Sequence, residues 1–257
     1  MIIKNILTKI EVHYLNYILA IIVIITGMFK ESLIIFFIIF VHELGHLALA
    51  LIFKWQLDKI YIYPFGGCVT FNESLNRPLK EELLIMLAGP IFQIIFFIII
   101  TILFKNNCLN LRTFLIFKNY HYAMLFFNLL PAIPLDGGRL LNILLNYLLS
   151  YKKSIRIASS IAYFVLFSTF FISLFINKNI NLLTIIIFLI SKVYIERKNI
   201  DYLYNKFLLE RYLNNFRFNK RKIVDKNNLH QDYNHTIKDN NHYITEKEYL
   251  KKRFYIN

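Results

Sequence analysis

The chain has 257 residues, of which 57% are hydrophobic and 18% are charged, and its formal net charge is +14. Soluble domains contain about 45–50% apolar and about 25% charged residues. The composition therefore excludes an ordinary soluble domain and a disordered chain, and it indicates an integral membrane protein.

Six apolar stretches come close to, or exceed, the length of about 20 residues that a membrane-spanning helix needs. They lie at about residues 14–29, 33–53, 83–104, 111–149, 155–176 and 180–195. The fourth stretch contains Pro131, Pro134, Gly137 and Gly138, a combination that breaks a helix. We therefore expect an all-α polytopic membrane protein with about six transmembrane helices and a broken fourth span.

The connection between the second and third stretches has a different character. Residues 61–71 combine β-branched and aromatic side chains with Pro64, Gly66 and Gly67. This pattern predicts a short membrane-associated β-hairpin or re-entrant loop with its turn at the glycines. Such backbone at membrane depth must be shielded by protein or line a wet cavity.

The basic residues favour one orientation in the membrane. With both termini in the cytoplasm, nine Lys and Arg residues fall in the inner connections and four in the outer ones, as the positive-inside rule requires.

From Arg197 onward, 14 basic and 7 acidic residues give a net charge of +7. We expect a membrane-embedded domain at residues 1–198 and a basic cytosolic tail at residues 199–257, near anionic lipid. Direct binding of nucleic acid is not expected, because no recognition motif accompanies the basic residues.

Two histidines and a glutamate interrupt the second apolar stretch, as His42-Glu43-Leu-Gly-His46. On a helix, residues four positions apart lie on the same face, so the two imidazoles can share one zinc ion. Glu43 can then hold and deprotonate a water molecule. An ionisable group inside a membrane costs about 2.5–3.5 kcal/mol on insertion scales, and metal ligation explains the pair better than hydrogen bonding between helices.

Asp136 is the candidate for a third ligand, because a catalytic zinc usually takes three protein ligands. The alternative is that Asp136 pairs with Arg139 or caps the helix that follows. Asn128 could support an oxyanion or bond loose backbone carbonyls at the end of a helix. His121 is interpreted as a satisfied core histidine.

Three motifs together resemble the site-2 protease family of intramembrane zinc metalloproteases, peptidase family M50. They are His42-Glu-Leu-Gly-His46, Ala88-Gly-Pro90, and the segment Asn-Leu-Leu-Pro-Ala-Ile-Pro-Leu-Asp-Gly-Gly-Arg at residues 128–139. Within the family, the chain is most similar to the stage IV sporulation branch of spore-forming bacteria. The resemblance covers about residues 10–195.

The resemblance implies peptide-bond hydrolysis inside or beside the bilayer. It implies one zinc ion per chain, held by His42, His46 and Asp136, with Glu43 acting on water. By the same resemblance, Asn128 lies near the catalytic centre. The segment Phe65-Gly66-Gly67 is similar to the hairpin on which these proteases receive an extended substrate by strand addition.

The resemblance also implies a substrate and partners. The sporulation branch is expected to remove the pro-sequence of a membrane-associated sigma factor under the control of partner membrane proteins. Whether the chain forms a homo-oligomer is left open by the sequence.

Two alternative functions remain: a site-2 protease that cuts an anti-sigma factor or a signal-peptide remnant, and a non-catalytic transporter or scaffold. The tail is too short for the two CBS repeats usual in this branch, so at most a shortened CBS-like segment is expected. Residues 54–80 are too few for the PDZ domain of the envelope-stress branch.

Overall fold

The computed structural model describes residues 10–12, 14–63, 66–177, 180–214, 216, 218–239 and 242–254. Helices predominate among them. The chain divides into two compact units. The first comprises Met1–Glu73 and Leu84–Phe127, and the second comprises Ser74–Leu83 and Asn128–Asn257.

The first unit holds a small sheet and apolar helices. In chain order its elements are β1 Ile10–Val12, α1 Leu15–Thr26, α2 Phe29–Ile52, β2 Leu57–Tyr63, β3 Gly66–Phe71, α3 Leu79–Lys105 and α4 Leu111–Asn128. The first five residues of α3 belong to the second unit. Local signals set several helix ends: Gly27 closes α1 with a φ of 68°, a conformation that suits glycine. Asn110 caps α4 by accepting the Thr113 N–H at 2.8 Å.

The hairpin that the sequence predicts is present as β2 and β3, but Gly66 and Gly67, expected in its turn, are the first residues of β3. These strands are antiparallel, with Tyr63 opposite Gly66, and β1 pairs in parallel with the other edge of β2. Pro64 and Phe65 lie outside the described residues. Because β3 packs against α2, the hairpin lies beside the helix that carries His42 and His46.

Apart from Ser74–Leu83, the second unit runs from Asn128, in the broken stretch, to Asn257. Its elements are α5 Asp136–Leu148, α6 Tyr151–Ile172, a π-helical turn Ser173–Asn177, α7 Ile180–Lys198, α8 Ile200–Leu213, β4 Lys220–Asp225, β5 Tyr233–Asp239, β6 His242–Thr245 and α9 Glu246–Phe254. Residues 129–135 separate α4 from α5, at the prolines and glycines that predict the break.

The basic tail is folded where it is described. β4 pairs in parallel with β5, which pairs antiparallel with β6. The sequence analysis did not foresee this second sheet. Its buried face packs with α8 and α9 in a core that includes Tyr204, Phe207, Ile237 and Leu250. Burial of these side chains stabilises the tail, since each large apolar residue contributes about 1.5–3 kcal/mol.

One buried arginine connects several parts of the second unit. Arg211, on α8, is 7% exposed, and its guanidinium lies 4.7 Å from the ring of Phe207 and 4.8 Å from that of Phe218. Its N–H groups donate to Asn76 Oδ1, Glu246 Oε1, Tyr233 O and His230 O. A buried charge is tolerated when it is paired and hydrogen-bonded in this way.

The loop between β4 and β5 contacts the first residues of two apolar helices. Asp232 accepts the backbone N–H of Leu79, the first residue of α3, at 3.1 Å. A carboxylate is favourable at this position, because the first N–H groups of a helix have no partner within it. The N–H of Tyr151, the first residue of α6, donates to Leu229 O at 3.0 Å. The folded tail therefore holds the start of each helix.

Three helices are long and apolar enough to cross a membrane among the residues that the structure describes. They are Phe29–Ile52, Leu79–Lys105 and Tyr151–Phe175, the last including part of the π-helical turn. Many of their apolar side chains are exposed: Phe36, Ile95 and Phe164, for example, are 49%, 49% and 77% exposed. Outward apolar surface of this kind is typical of helices in contact with lipid.

The tail is expected to lose stability in mild acid. Burial lowers the pKa of His230 to about 4 and also lowers the pKa of His235, against about 6.5 in the unfolded chain. The folded state thus binds fewer protons, and stability present above pH 6.5 is lost as the pH falls toward 4. Between pH 7.5 and 5.5, we expect the unfolding temperature of the detergent-purified chain to fall by about 4 °C.

The control for this measurement is His230→Asn, which removes one buried imidazole and should reduce the acid sensitivity. The change His242→Asn removes an exposed imidazole and should leave the sensitivity unaltered. Equal acid sensitivity in the wild type and His230→Asn would contradict the assignment to His230.

Candidate metal centre

Two buried imidazoles face each other on α2. His42 and His46 are 1% and 5% exposed, and their Nε2 atoms are 3.2 Å apart. The i, i+4 spacing places both side chains on one face of the helix. Both ligand nitrogens predicted from the sequence are therefore close together and shielded from solvent.

Hydrogen bonding sets the orientation of His46. Its Nδ1 lies 2.7 Å from the backbone oxygen of Ile85, on α3. A carbonyl oxygen only accepts, so His46 Nδ1 carries the proton and Nε2 is left as the acceptor of the neutral ring. An imidazole binds a metal through a nitrogen in that state. The ring of His46 is thus presented with its ligating atom toward His42.

The separation of the two Nε2 atoms fits zinc. Zinc–nitrogen bonds of about 2.0–2.1 Å in tetrahedral geometry place two ligand nitrogens about 3.3 Å apart. The observed separation is 3.2 Å. The pair therefore has the geometry that one shared zinc ion requires.

Gly89, on α3, provides the space beside these nitrogens. A Cβ atom built at Gly89 would lie 2.3 Å from Nε2 of His46 and 2.9 Å from Nε2 of His42. Both distances are far inside van der Waals contact, and the rings are confined by burial. The absence of a side chain at residue 89 is thus a requirement of this arrangement.

Asp136 is the first residue of α5 and is half-buried. The next residue is held tightly: a Cβ at Gly137 would lie 2.2 Å from the backbone oxygen of Leu129 and 2.5 Å from that of Leu130. The glycine allows the loop after α4 to fold back against the first turn of α5. In their chemistry, the imidazole nitrogens of His42 and His46 and the carboxylate of Asp136 are ligand types that zinc accepts.

The other predicted site residues have these positions. Glu43 is half-buried on α2, beside His42, and Asn128 is half-buried as the last residue of α4. Gly66 and Gly67 begin β3, while Phe65 lies outside the described residues. His121, on α4, is 2% exposed and stacks on Phe97 with 4.2 Å between the ring centroids, which fits a packed core histidine.

Gln93 was not predicted from the sequence as a site residue. This residue of α3 is fully buried, and its Oε1 lies 3.0 Å from Nδ1 of His42. Ile85, Gly89 and Gln93 follow one another at intervals of four, so that they form a stripe along one face of α3. A polar amide within the apolar run of residues 91–100 was the available signal, because polar groups in membrane helices need partners.

Comparisons with known proteins find similarity over part of the chain. Residues 30–109 match the profile of Peptidase family M50. Over 140 residues, the chain is 41% identical to Stage IV sporulation protein FB of Bacillus subtilis, covering 54% of this chain and 49% of that protein. Over 143 residues, it is 32% identical to Zinc metalloprotease MJ0392 of Methanocaldococcus jannaschii, covering 51% and 41%.

A solved structure has a similar fold. The Site-2 Protease from Methanocaldococcus jannaschii matches with a TM-score of 0.54 and 25% identity, over 73% of this chain and 90% of that one. The chain spans about half the length, or less, of the two relatives matched by sequence.

The change Gly89→Ala should weaken metal binding. The new methyl group would occupy the space next to both Nε2 atoms, and overpacking costs about 1–3 kcal/mol, which is about 5- to 150-fold in affinity. Zinc affinity is measured on detergent-purified protein by competition with a chromophoric chelator.

Gly27→Ala is the matched control for Gly89→Ala. Nothing lies within 4 Å of a Cβ at Gly27, although its φ of 68° is strained for alanine. This variant should lose some stability and keep its zinc affinity. Wild-type zinc affinity in Gly89→Ala would contradict the placement of the metal beside residue 89.

Proposed function

We propose that the chain is an intramembrane zinc metalloprotease, since residues 30–109 match Peptidase family M50 and the fold is similar to that of a site-2 protease. Its reaction is hydrolysis of a peptide bond in a membrane-associated protein. The observation that carries the proposal is the buried pair of His42 and His46, with Nε2 atoms 3.2 Å apart, on a helix apolar enough to cross a membrane.

The proposed ligands of one zinc ion per chain are His42, His46 and Asp136. Two imidazoles and one carboxylate are a typical set for a hydrolytic zinc, which keeps a further position open. When bound, zinc supplies Lewis acidity toward the substrate carbonyl and lowers the pKa of water. Asp136 is suited to this task by its place at the start of α5, where Gly137 fixes the backbone.

Glu43 and Asn128 are the proposed catalytic side chains. Glu43 takes a proton from the attacking water as general base and then gives it to the leaving amine. Asn128 donates an N–H to the oxyanion that forms when the carbonyl is attacked. Glu43 directly follows His42 on α2, so its carboxylate is adjacent in sequence to the first histidine of the pair.

The substrate is proposed to bind as an added strand at β3. Among the described strands, β3 pairs with β2 alone, so its other edge offers backbone N–H and C=O groups to an extended peptide. Phe65, Gly66 and Gly67 are the proposed contact residues. Because β3 packs against α2, a peptide at that edge would run beside the helix of His42 and His46.

The proposed substrate is the pro-sequence of a membrane-associated sporulation sigma factor. The support is the 41% identity with Stage IV sporulation protein FB and the resemblance to its branch. Regulation by partner membrane proteins and assembly into a homo-oligomer belong to the same proposal. An anti-sigma factor or a signal-peptide remnant as substrate is an outcome that cleavage assays would reveal.

The proposed topology has six spans with both termini in the cytoplasm. Three of the spans would be the helices that qualify by length and hydropathy. The other three would be α1, the broken pair α4 and α5, and α7. In this arrangement residues 1–198 form the membrane domain. Residues 199–257 form a cytosolic unit near anionic lipid, a shortened CBS-like segment without nucleic-acid binding.

The change Glu43→Gln should leave zinc binding intact and lower cleavage by about 100- to 10,000-fold, the usual contribution of a general base. Asp136→Asn should weaken both zinc binding and cleavage, because an amide oxygen is a poorer zinc ligand than a carboxylate. Cleavage of a co-expressed, epitope-tagged pro-sigma substrate and the zinc content of the purified protein are measured together.

Glu31→Gln is the control for Glu43→Gln, because it is the same chemical change in the first turn of the same helix. It should cleave at the wild-type rate. If Glu43→Gln cleaves at that rate, Glu43 is not the base and the proposed mechanism is wrong.

Reporter fusions test the topology. Alkaline phosphatase is active only outside the cytoplasm, so fusions after Lys30 and after Lys105 should be active, and fusions after Lys54 and at the C-terminus should be inactive. An active C-terminal fusion would contradict the cytosolic placement of the tail.

A further inference from the structure

Gln93 forms a bridge between two helices of the first unit. It lies on α3 and is fully buried. Its Oε1 is 3.0 Å from Nδ1 of His42, on α2. Its Nε2 is 3.0 Å from the backbone oxygen of His121, on α4, with a longer contact of 3.5 Å to the ring Nδ1 of that residue.

The contact with the His121 backbone fixes the direction of the amide. A carbonyl oxygen accepts hydrogen bonds and cannot donate, so the NH₂ group of Gln93 must face it. The Gln93 carbonyl oxygen therefore faces His42 and accepts the proton on Nδ1. Nε2 is then the acceptor nitrogen of the neutral His42 ring.

Both histidines are thus in the same tautomer. His46 Nδ1 donates to the backbone oxygen of Ile85 at 2.7 Å, and His42 Nδ1 donates to Gln93. The two Nε2 atoms, 3.2 Å apart, are both acceptors, so the pair is not a hydrogen bond between the imidazoles. Two acceptors at that distance repel each other unless a cation lies between them.

The two rings differ in what fixes them. His46 is oriented by a backbone carbonyl, which no side-chain substitution removes. His42 is oriented by a side chain, which a substitution can change. Gln93 is therefore the point at which the tautomer of the pair can be altered without changing a ligand.

We propose that Gln93 is a positioning residue that holds His42 in the tautomer whose Nε2 is the acceptor nitrogen, the form that binds a metal, and that it thereby sets the zinc affinity of the site. This inference rests on the proposed zinc site. An amide suits the task in an apolar helix because it accepts from His42 and donates to His121 without burying a net charge. Removal of such a partner typically costs 10–100-fold in metal affinity.

The primary test is Gln93→Met in the full, detergent-purified chain. Methionine has a similar length and volume, but its thioether sulfur is only a weak acceptor for the His42 proton, so His42 can rotate or carry its proton on Nε2. We expect zinc affinity, measured by competition with a chromophoric chelator, to fall by about 10–100-fold. The unfolding temperature without zinc shows whether the variant is folded.

The conservative variant Gln93→Glu separates positioning from packing. A carboxyl group still accepts the Nδ1 proton of His42, and a carboxylate behind a histidine ligand strengthens metal binding. We expect zinc to be bound at least as tightly as in the wild type. Should Gln93→Met fail to fold, Gln93→Glu still decides, because weaker zinc binding in a folded Gln93→Glu protein would overturn the inference.

His121→Phe is the matched control. It keeps the ring stacked on Phe97 and keeps the backbone oxygen that Gln93 Nε2 bonds, so zinc affinity should equal that of the wild type. Wild-type affinity in Gln93→Met, or an equal loss in Gln93→Met and His121→Phe, would overturn the role of Gln93. A wild-type protein that binds no zinc would instead overturn the proposed function on which the inference rests.

Discussion

The structure of the first unit depends on holding two imidazole nitrogens 3.2 Å apart inside apolar helices. Each ring needs a hydrogen-bond partner for its Nδ1 atom, and no side chain can occupy the space beside the two Nε2 atoms. One face of α3 meets all three demands, with the carbonyl of Ile85, the missing side chain of Gly89 and the amide of Gln93. Their spacing of four residues is the helical repeat that keeps them on one line.

The second unit meets a different constraint, because a basic tail of modest size must fold and hold the ends of apolar helices. Arg211 is the polar centre of that fold, with its guanidinium between Phe207 and Phe218 and paired with Glu246. Asp232 gives the first N–H of α3 a partner. Since α3 carries Gly89 and Gln93 further along, the helix that presents the metal-facing stripe has its first residue hydrogen-bonded to the folded tail.

Much of the site could be predicted from the sequence because its signals are local. The spacing of His42 and His46 predicts a shared face, and two prolines and two glycines predict the break between α4 and α5.

Gln93 was missed because its partner, His42, is 51 positions away and a single amide has no periodic pattern. The second sheet was missed because its strands are short and polar. The capping box of Thr245 and Glu248, which begins α9, was a readable local signal.

The central claim is that His42, His46 and Asp136 hold one zinc ion. The most direct test is the metal content of the detergent-purified chain, determined by mass spectrometry for the wild type, His46→Ala and Asp136→Ala. The account predicts about one zinc per wild-type chain and a large loss in both variants. A folded wild-type protein that takes up no metal after zinc is resupplied would contradict it.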